Sequence, residues 1–465
     1  MLRYPLYQNT DLPWLAEIPA HWDLKRNKNV FAEMKEEVGE RSGEYTLLSL
    51  TLKGIIPRDM NGGGKFPASF DKYKIVKRGY MAFCLFDIDE TPRTVGLSKY
   101  DGMLTGAYTI MRVRDIDPLY AYYYYLALDN RKMMRPLYTG LRKTINVNTF
   151  QGTKLPVPPT SEQTQIARFL EWKVSSVNRL ISNYRREISS LFEMKQRIID
   201  DTVTTGLHGE PLVCANNDRW RINYPAHWQI QRIRESFSFR KGLSITKANL
   251  EETGIPVISY GQVHSKKNTG VALNEELIRY VNKSYLDGNQ SCLVNKGDFI
   301  FADTSEDLEG CGNCAYIDWD GDIFAGYHSI IAHPDGRMNN KYLAYLFRSS
   351  KWRYQVRKKA NGVKVYSITQ MMLKDAFILV PPADEQKEIV DYLDEACSKV
   401  DVAISRMEDK IRALQEMKIR IIEDTVFGKI DVREIDIPEY EYVDEDTDSE
   451  SDVNDELDDA EEQEN

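Results

Sequence analysis

The sequence predicts an α+β protein: two mixed α/β domains separated by two long helices that form an antiparallel coiled coil, the whole arranged as a pseudo-two-fold internal repeat. Three observations predict it. Residues 157–203 align on residues 380–426 without a gap, with 22 identities in 47 positions. Pro19, Ala20, His21 and Trp22 return as Pro225, Ala226, His227 and Trp228. Both copies of the aligned stretch space their apolar residues by threes and fours, the period of one helix face.

The first domain spans 1–156 and the second 207–378. Their opening motifs lie 206 residues apart and the aligned stretches 223 apart, so the second copy is 17 residues longer, in the segment where the two share little. Short alternating runs such as Tyr73 to Val76 and Asp298 to Phe301, set between glycines, read as strands. Late in each domain comes an aromatic helix, Tyr120 to Leu126 and Tyr342 to Phe347, whose rings at helical spacing read as core.

The long helices occupy 157–206 and 379–430. The first seam runs through Ile166, Leu170, Val174, Val177, Ile181, Tyr184, Ile188, Leu191, Met194 and Ile198. Ile389, Leu393, Cys397, Val400, Ile404, Met407, Ile411, Leu414, Met417 and Ile421 repeat it. A pair of prolines precedes each helix, Ser161 or Asp384 is placed to cap it, and Gly206 or Gly428 ends it. At about 1.5 Å per residue each rod is about 60 Å long, and one narrow apolar seam on such a rod calls for a helical partner.

The formal charge is -10, but residues 441–465 hold 14 acidic and no basic side chains, which leaves the rest of the chain at +4. Residues 431–465 therefore read as an acidic, disordered tail on a mildly basic body. Six scattered cysteines make no disulfide framework, and no run is long and apolar enough for a membrane span, so the expected compartment is the cytoplasm.

Both domains turn basic directly after the aromatic helix. Arg131, Lys132, Arg135, Arg142 and Lys143 carry the first run; Lys351, Arg353, Arg357, Lys358, Lys359 and Lys364 carry the second, with no acid interspersed. Each run ends near a glycine, Gly140 or Gly362, and such cations neutralise phosphates or reach guanine edges. They are the candidate DNA-binding residues.

Cys311, Cys314, His328 and His333 match a zinc spacing, but the histidines fall in a turn and strand, and the first copy has no ligands there, so no metal is expected. The sequence holds no phosphate loop, since Asn61 and its glycines lack the following Lys-Ser/Thr, and no amino-methyltransferase motif. Glu385, Gln386 and Lys387 mimic half of a nuclease motif but open a helix whose twin reads Glu162, Gln163, Thr164. No catalytic residue is expected.

The paired Val-Pro-Pro-x-x-Glu-Gln-x-x-Ile starts at Val157 and Val380, with Pro-Ala-His-Trp opening each domain, resemble the specificity subunits of Type I restriction-modification systems. The resemblance covers nearly all of residues 12–430. It implies that each domain is a target-recognition domain reading one half of a split double-stranded DNA sequence, while the helices form the spacer on which modification subunits, two of them expected, and restriction subunits assemble. It also implies that S-adenosylmethionine, ATP and Mg serve those partners and that this chain binds no cofactor. The competing reading is a coiled-coil adaptor that binds proteins without reading DNA.

Overall fold

The computed structural model describes residues 3–58, 66–138, 143–217, 220–362 and 364–444. They fall into two compact units, Met1–Arg186 with Met407–Asn465, and Glu187–Arg406. Each unit thus contains one domain and one half of each long helix.

In the first unit a four-stranded antiparallel sheet runs in the order Phe31–Met34, Thr109–Val113, Tyr80–Phe83, Val95–Leu97. Side chains alternate across it as the pleat requires. Met81, Phe83 and Met111 enter the main core, while Ala82 and Ile110 enter a smaller cluster on the other face. Helices α1 (Asn27–Val30), α2 (Pro118–Asn130) and α3 (Val147–Gly152) precede the rod α4 (Thr160–Thr205). The Asp117 carboxylate caps α2 by accepting from the Leu119 and Tyr120 amides, with Pro118 in the first turn. Tyr120, Tyr123, Tyr124 and Tyr125 are all buried, as a core helix demands. The Tyr120 hydroxyl donates to the Pro156 carbonyl at 2.9 Å and that of Tyr125 to Asn27 Oδ1 at 2.6 Å, so their polar tips are satisfied.

The second unit repeats this plan. Phe237–Lys241, Ser329–Pro334, Phe299–Ala302 and Cys314–Tyr316 form a sheet of the same strand order. It adds α5 (Tyr260–His264), α6 (Asn340–Arg348), α7 (Ser350–Arg357), α8 (Gln370–Lys374) and the rod α9 (Ala383–Val426). The aromatic helix is α6, and Phe347 packs on Trp352 at 4.6 Å and on Phe299 at 5.0 Å between ring centroids. Where the first unit has the strand pairs 48–51 with 54–57 and 74–76 with 102–104, the second has a five-stranded sheet built from 250–251, 279–281, 255–258, 323–325 and 293–294, with core clusters of its own.

The two repeated motifs meet. Glu162, in the first turn of α4 and 3 % exposed, accepts hydrogen bonds from Trp22 Nε1 at 3.0 Å and Tyr4 Oη at 2.5 Å, and its other oxygen lies 2.7 Å from His21 Nε2. Glu385, the twin in α9, accepts from Trp228 Nε1 at 2.8 Å and lies 2.6 Å from His227 Nε2. The adjacent glutamines serve the aromatic helices. Gln163 Oε1 accepts from the Asp117 amide and Gln386 Oε1 from the Asn339 amide, both at 2.8 Å. A short antiparallel pair completes each anchor: Asp23–Arg26 with Lys154–Val157, and Gln229–Arg232 with Phe377–Val380.

Ser161 and Asp384 lie inside the first turn rather than at the cap, because each helix begins one residue earlier, at Thr160 or Ala383. The ends fall as expected, with Gly206 at φ +72° and Gly428 at φ +71° directly after the last turns. Gly428 abuts Pro19 and Trp22, and Gly206 abuts Trp228 and Pro225. Each opening motif therefore touches the start of one rod and the end of the other.

Within the first unit the N-terminal half of α4 lies along the C-terminal half of α9, where Lys418 Nζ donates to Asn178 Oδ1 at 3.4 Å. Within the second, Lys195 Nζ donates to both oxygens of Asp401 at 2.7 Å. The pairing is antiparallel. Ile166, Leu170, Val177, Ile181, Ile389, Leu393, Cys397, Val400 and Ile404 are buried. Ile188, Leu191, Ile198, Ile411, Leu414 and Ile421 are only partly so. Met194 and Met417, expected in the seam, stand 44 % and 41 % exposed, and burial passes instead to Ile199 and Val203 and to Ile422 and Val426. A strict 3.5-residue seam drifts by about 20° per heptad against a 3.6-residue helix, and both copies slip by the same single position.

The C-terminal segment also departs from the expectation of a tail disordered from residue 431. Val432 is fully buried, Gln165 Nε2 donates to the Val432 and Ile435 carbonyls at 3.0 and 2.7 Å, and Asn178 Nδ2 donates to the Val443 carbonyl at 3.1 Å. Residues 431–444 lie along α4; residues 445–465 fall outside the described set.

Replacing Glu385 by Ala leaves the Trp228 indole N–H without an acceptor and should lower stability by about 1–3 kcal/mol, with Gln restoring part of it. Glu162→Ala should cost more, because three donors lose their acceptor. Urea unfolding of the full chain ranks the two, and equal midpoints would refute the ranking. Gly428→Ala should cost at least the roughly 1–2 kcal/mol of a left-handed alanine and more than Gly206→Ala, since its Cβ collides with Pro19. Matched thermal melts check the order.

Candidate nucleic-acid interface

The basic runs leave the aromatic helices at matching places, and the structure divides them into anchors and exposed side chains. Arg131 turns toward α9: its Nε lies 2.6 Å from Glu423 Oε1 and its Nη2 2.6 Å from Glu416 Oε1, and these bonds hold its guanidinium above the ordinary arginine range. In the second unit Ser350 and Lys351 do the equivalent work on α4. The Ser350 amide donates to Asp200 Oδ1 at 2.7 Å, and Lys351 Nζ lies 3.0 Å from Asp201 Oδ1. Asp200 and Glu423 are twins in the repeat. These cations fasten a domain to a rod.

Lys132 also has an internal role. At φ +52° its ammonium turns inward to the Thr91 carbonyl at 2.7 Å and to the fully buried Asp129 at 2.8 Å, which also accepts from Arg93 and Thr94. Arg353 is 8 % exposed and donates to the Glu309 carbonyl and to Asn313. Arg357 donates to the same carbonyl and pairs with the Glu309 carboxylate at 2.8 Å. Lys359 lies 3.8 Å from Asp375. Lys143 pairs with Glu90 and Asp89. Arg135, Lys358 and Lys364 are exposed. Arg142 lies outside the described residues.

Both basic loops are stitched to the segment that leaves the central sheet strand. In the first domain the Asp87 amide donates to the Lys143 carbonyl, and the Ile145 amide to that of Leu85, both at 2.7 Å. In the second the Ile368 amide donates to the Asp303 carbonyl at 2.8 Å, and Thr304 pairs with Ser367. Beside that seam in the second domain opens a cleft of 700 Å³ whose wall includes Lys241, Ser244, His328, Gln370, Met371 and Lys374. Met371 is 66 % exposed. His328 holds a left-handed backbone, φ +53°, with its Nδ1 3.2 Å from Asp303 and its ring 5.5 Å from that of Tyr260. A strained non-glycine residue at a cleft is characteristic of a binding surface. Sequence reasoning missed this cleft, because its cations are single residues on separate elements.

The zinc-like spacing resolves into separate contacts. Cys311 and Cys314 are buried, and burial pushes the Cys314 thiol up to about 12. His333 lies on a strand with its Nδ1 2.6 Å from the buried Asp298. No group of three or more His, Cys, Asp or Glu side chains is arranged to hold a metal ion among the described residues.

Comparisons with known proteins agree with this layout. The model of the Type I restriction modification DNA specificity domain matches residues 87–188 and 225–405. The Type I restriction enzyme MjaVIII specificity subunit of Methanocaldococcus jannaschii is 21 % identical over 323 residues, 69 % of this chain and 72 % of that protein. The EcoKI specificity subunit of Escherichia coli is 22 % identical over 297 residues, 61 % of this chain and 59 % of that one. A solved chain from work on complex assembly and conformational transition of the type I R-M system superposes with a TM-score of 0.61 at 14 % identity, covering 89 % of this chain and 99 % of its own.

The anchoring role of Arg131 has a direct test. Arg131→Ala should lower the thermal midpoint of the full chain, by less as salt is raised, because screening weakens the pairs it removes. Arg135→Ala, on an exposed site, should leave the midpoint unchanged. An Arg131 variant that melts like the native chain at low salt would remove the anchor.

Proposed function

Because the chain belongs to the family of Type I restriction-modification DNA specificity domains, we propose that its two recognition domains each read one half of an asymmetric, bipartite duplex target. The observation that carries the reading is the combination of identical anchoring with divergent surfaces. The same Glu-Gln pair, opening motif and sheet order support both domains. What they support differs: a five-stranded sheet in the second where the first has two separate strand pairs, and basic loops of unlike sequence. Equal supports with unequal faces suit one binding module per half-site, the two halves differing in sequence.

On this reading the chain reads DNA and carries out no chemistry. Methyl transfer from S-adenosylmethionine, and cleavage driven by ATP and Mg, belong to modification and restriction subunits that assemble on it, the modification subunit in two copies to match the internal repeat. Lys364, Lys358, Arg135 and Lys143 are the exposed cations of the runs best placed to meet phosphates; Arg131, Lys132 and Lys351 act within the fold. The setting is the cytoplasm, where the target DNA lies. The position of a basic loop after the aromatic helix in both domains, and the cleft beside one of them, favour DNA over the adaptor alternative.

Sequencing the positions methylated by the assembled complex reports the target directly. Exchanging residues 207–378 for the second domain of a relative should change one half of the methylated motif and leave the other intact. A change in both halves, or in neither, would defeat the proposal.

A further inference from the structure

A cluster of covered positive charge lies beside the cleft, on the other side of the Asp303–Ser305 segment. There a cavity of 630 Å³ is walled by Arg348 from the end of α6, by Arg353 and Arg357 one turn apart on α7, and by Lys266 and His264 across from them. The acids of the wall are largely committed elsewhere. Asp307 Oδ1 accepts from the Gly310 amide, and Glu309 pairs with Arg357. Glu306 is the remaining carboxylate of the wall. His264 is held by the Thr304 carbonyl at 2.8 Å and by Asn313 at 3.0 Å.

Arg348 has neither an ion pair nor a hydrogen bond for its guanidinium among the described residues, although most of its side chain is covered. Arg353 is more than nine-tenths buried, and its Nε and that of Arg357 lack any partner. Burial, and then repulsion from Arg357 and Arg348, push the Arg353 guanidinium down to about 10. Three guanidinium groups and Lys266 thus share the wall with three carboxylates, of which Glu309 alone is paired with a guanidinium. A guanidinium such as that of Arg348, set among other cations with no carboxylate paired to it, is stabilised when an anion enters. The fork of donors on an arginine suits phosphate oxygens better than any other common biological anion.

We infer that this arginine-walled cavity of the second recognition domain is a phosphate site that grips one phosphodiester of the DNA backbone in the half-site read by that domain. The inference rests on the DNA-reading function proposed above and adds to it a fixed point of contact. Arg348, unpaired and reached from the cavity, makes the contact; Arg353 and Arg357 hold the positive field behind it. At the same place in the first domain Arg131 is spent on α9 and Lys132 on Asp129. A phosphate contact positions the protein on the duplex without reading sequence.

The test uses the full chain assembled with its modification subunits and a duplex bearing its methylated motif. Arg348→Gln should reduce the slope of log Kd against log salt by about 1 and leave the methylated motif unchanged, while Arg348→Lys keeps the slope. Single neutral methylphosphonates are then placed along the second half-site. At one position the native complex should lose about tenfold in affinity, and Arg348→Gln should lose nothing further there. Native slope and affinity in Arg348→Gln would overturn the inference, and so would a loss that couples to no methylphosphonate. If inorganic phosphate raises the melting point of the native chain but not of Arg348→Gln, while the DNA slope stays the same, the cavity takes free phosphate and the backbone assignment falls. A native complex with no methylated motif at all would instead defeat the reading of the domains themselves.

Discussion

A carboxylate buried at the first turn of each rod holds the architecture together. A glutamate taken out of water is costly by several kcal/mol unless donors surround it. Glu162 meets that cost with an indole N–H, a phenol and an imidazole, and Glu385 with an indole and an imidazole. The free amides of the helix start add a favourable field for negative charge. The next residue on the helix is as constrained as the carboxylate. Gln163 and Gln386 fix the cap of the aromatic helix while their own amides donate to Pro158 and Pro381. Two adjacent side chains thus orient two separate parts of a domain against one helix start.

That economy frees the rest of each domain. The aromatic core beneath the anchor is served by α2 in one unit and by α6 and α7 in the other. The five-stranded sheet of the second domain packs around clusters of its own, so its surface is set apart from the anchor. Substitutions in separate clusters share few partners and act nearly independently on stability. A fold of this kind tolerates changing faces over an unchanged support, as the 22 identities concentrated in 157–203 and 380–426 already imply.

Local periodicity carried much of this fold, and long-range pairing carried what sequence reading missed. The rods, their ends at Gly206 and Gly428 and the buried aromatic helices follow from spacing alone. The bond between Trp22 and Glu162 does not, since 140 residues separate them. For the same reason Arg131 and Lys351 looked like free cations: a run of basic residues reads alike whether or not carboxylates on a distant helix face it. The seam slipped at Met194 and Met417 because a heptad template ignores the true pitch of a straight helix. In the C-terminal segment, the acids of 441–465 outweighed Val432, Ile435 and Ile437, which pack with the main core of the first unit. Arg348 gave no signal, because a single arginine ending a helix is ordinary.

The division between buried and exposed cations bears on how such a domain recognises DNA. An arginine fixed by burial and by carbonyl contacts has little freedom to adapt to different base edges, but it loses little entropy when it grips a group common to every nucleotide. Met371 is exposed in the cleft, where, on the proposed reading, contacts to base edges need reach and variety. Placing the rigid cations on one side of the Asp303–Ser305 segment and the adaptable residues on the other separates position from specificity. On the proposed reading, the residues that set specificity are then free to differ between relatives, while the backbone contact keeps the duplex in one register against them.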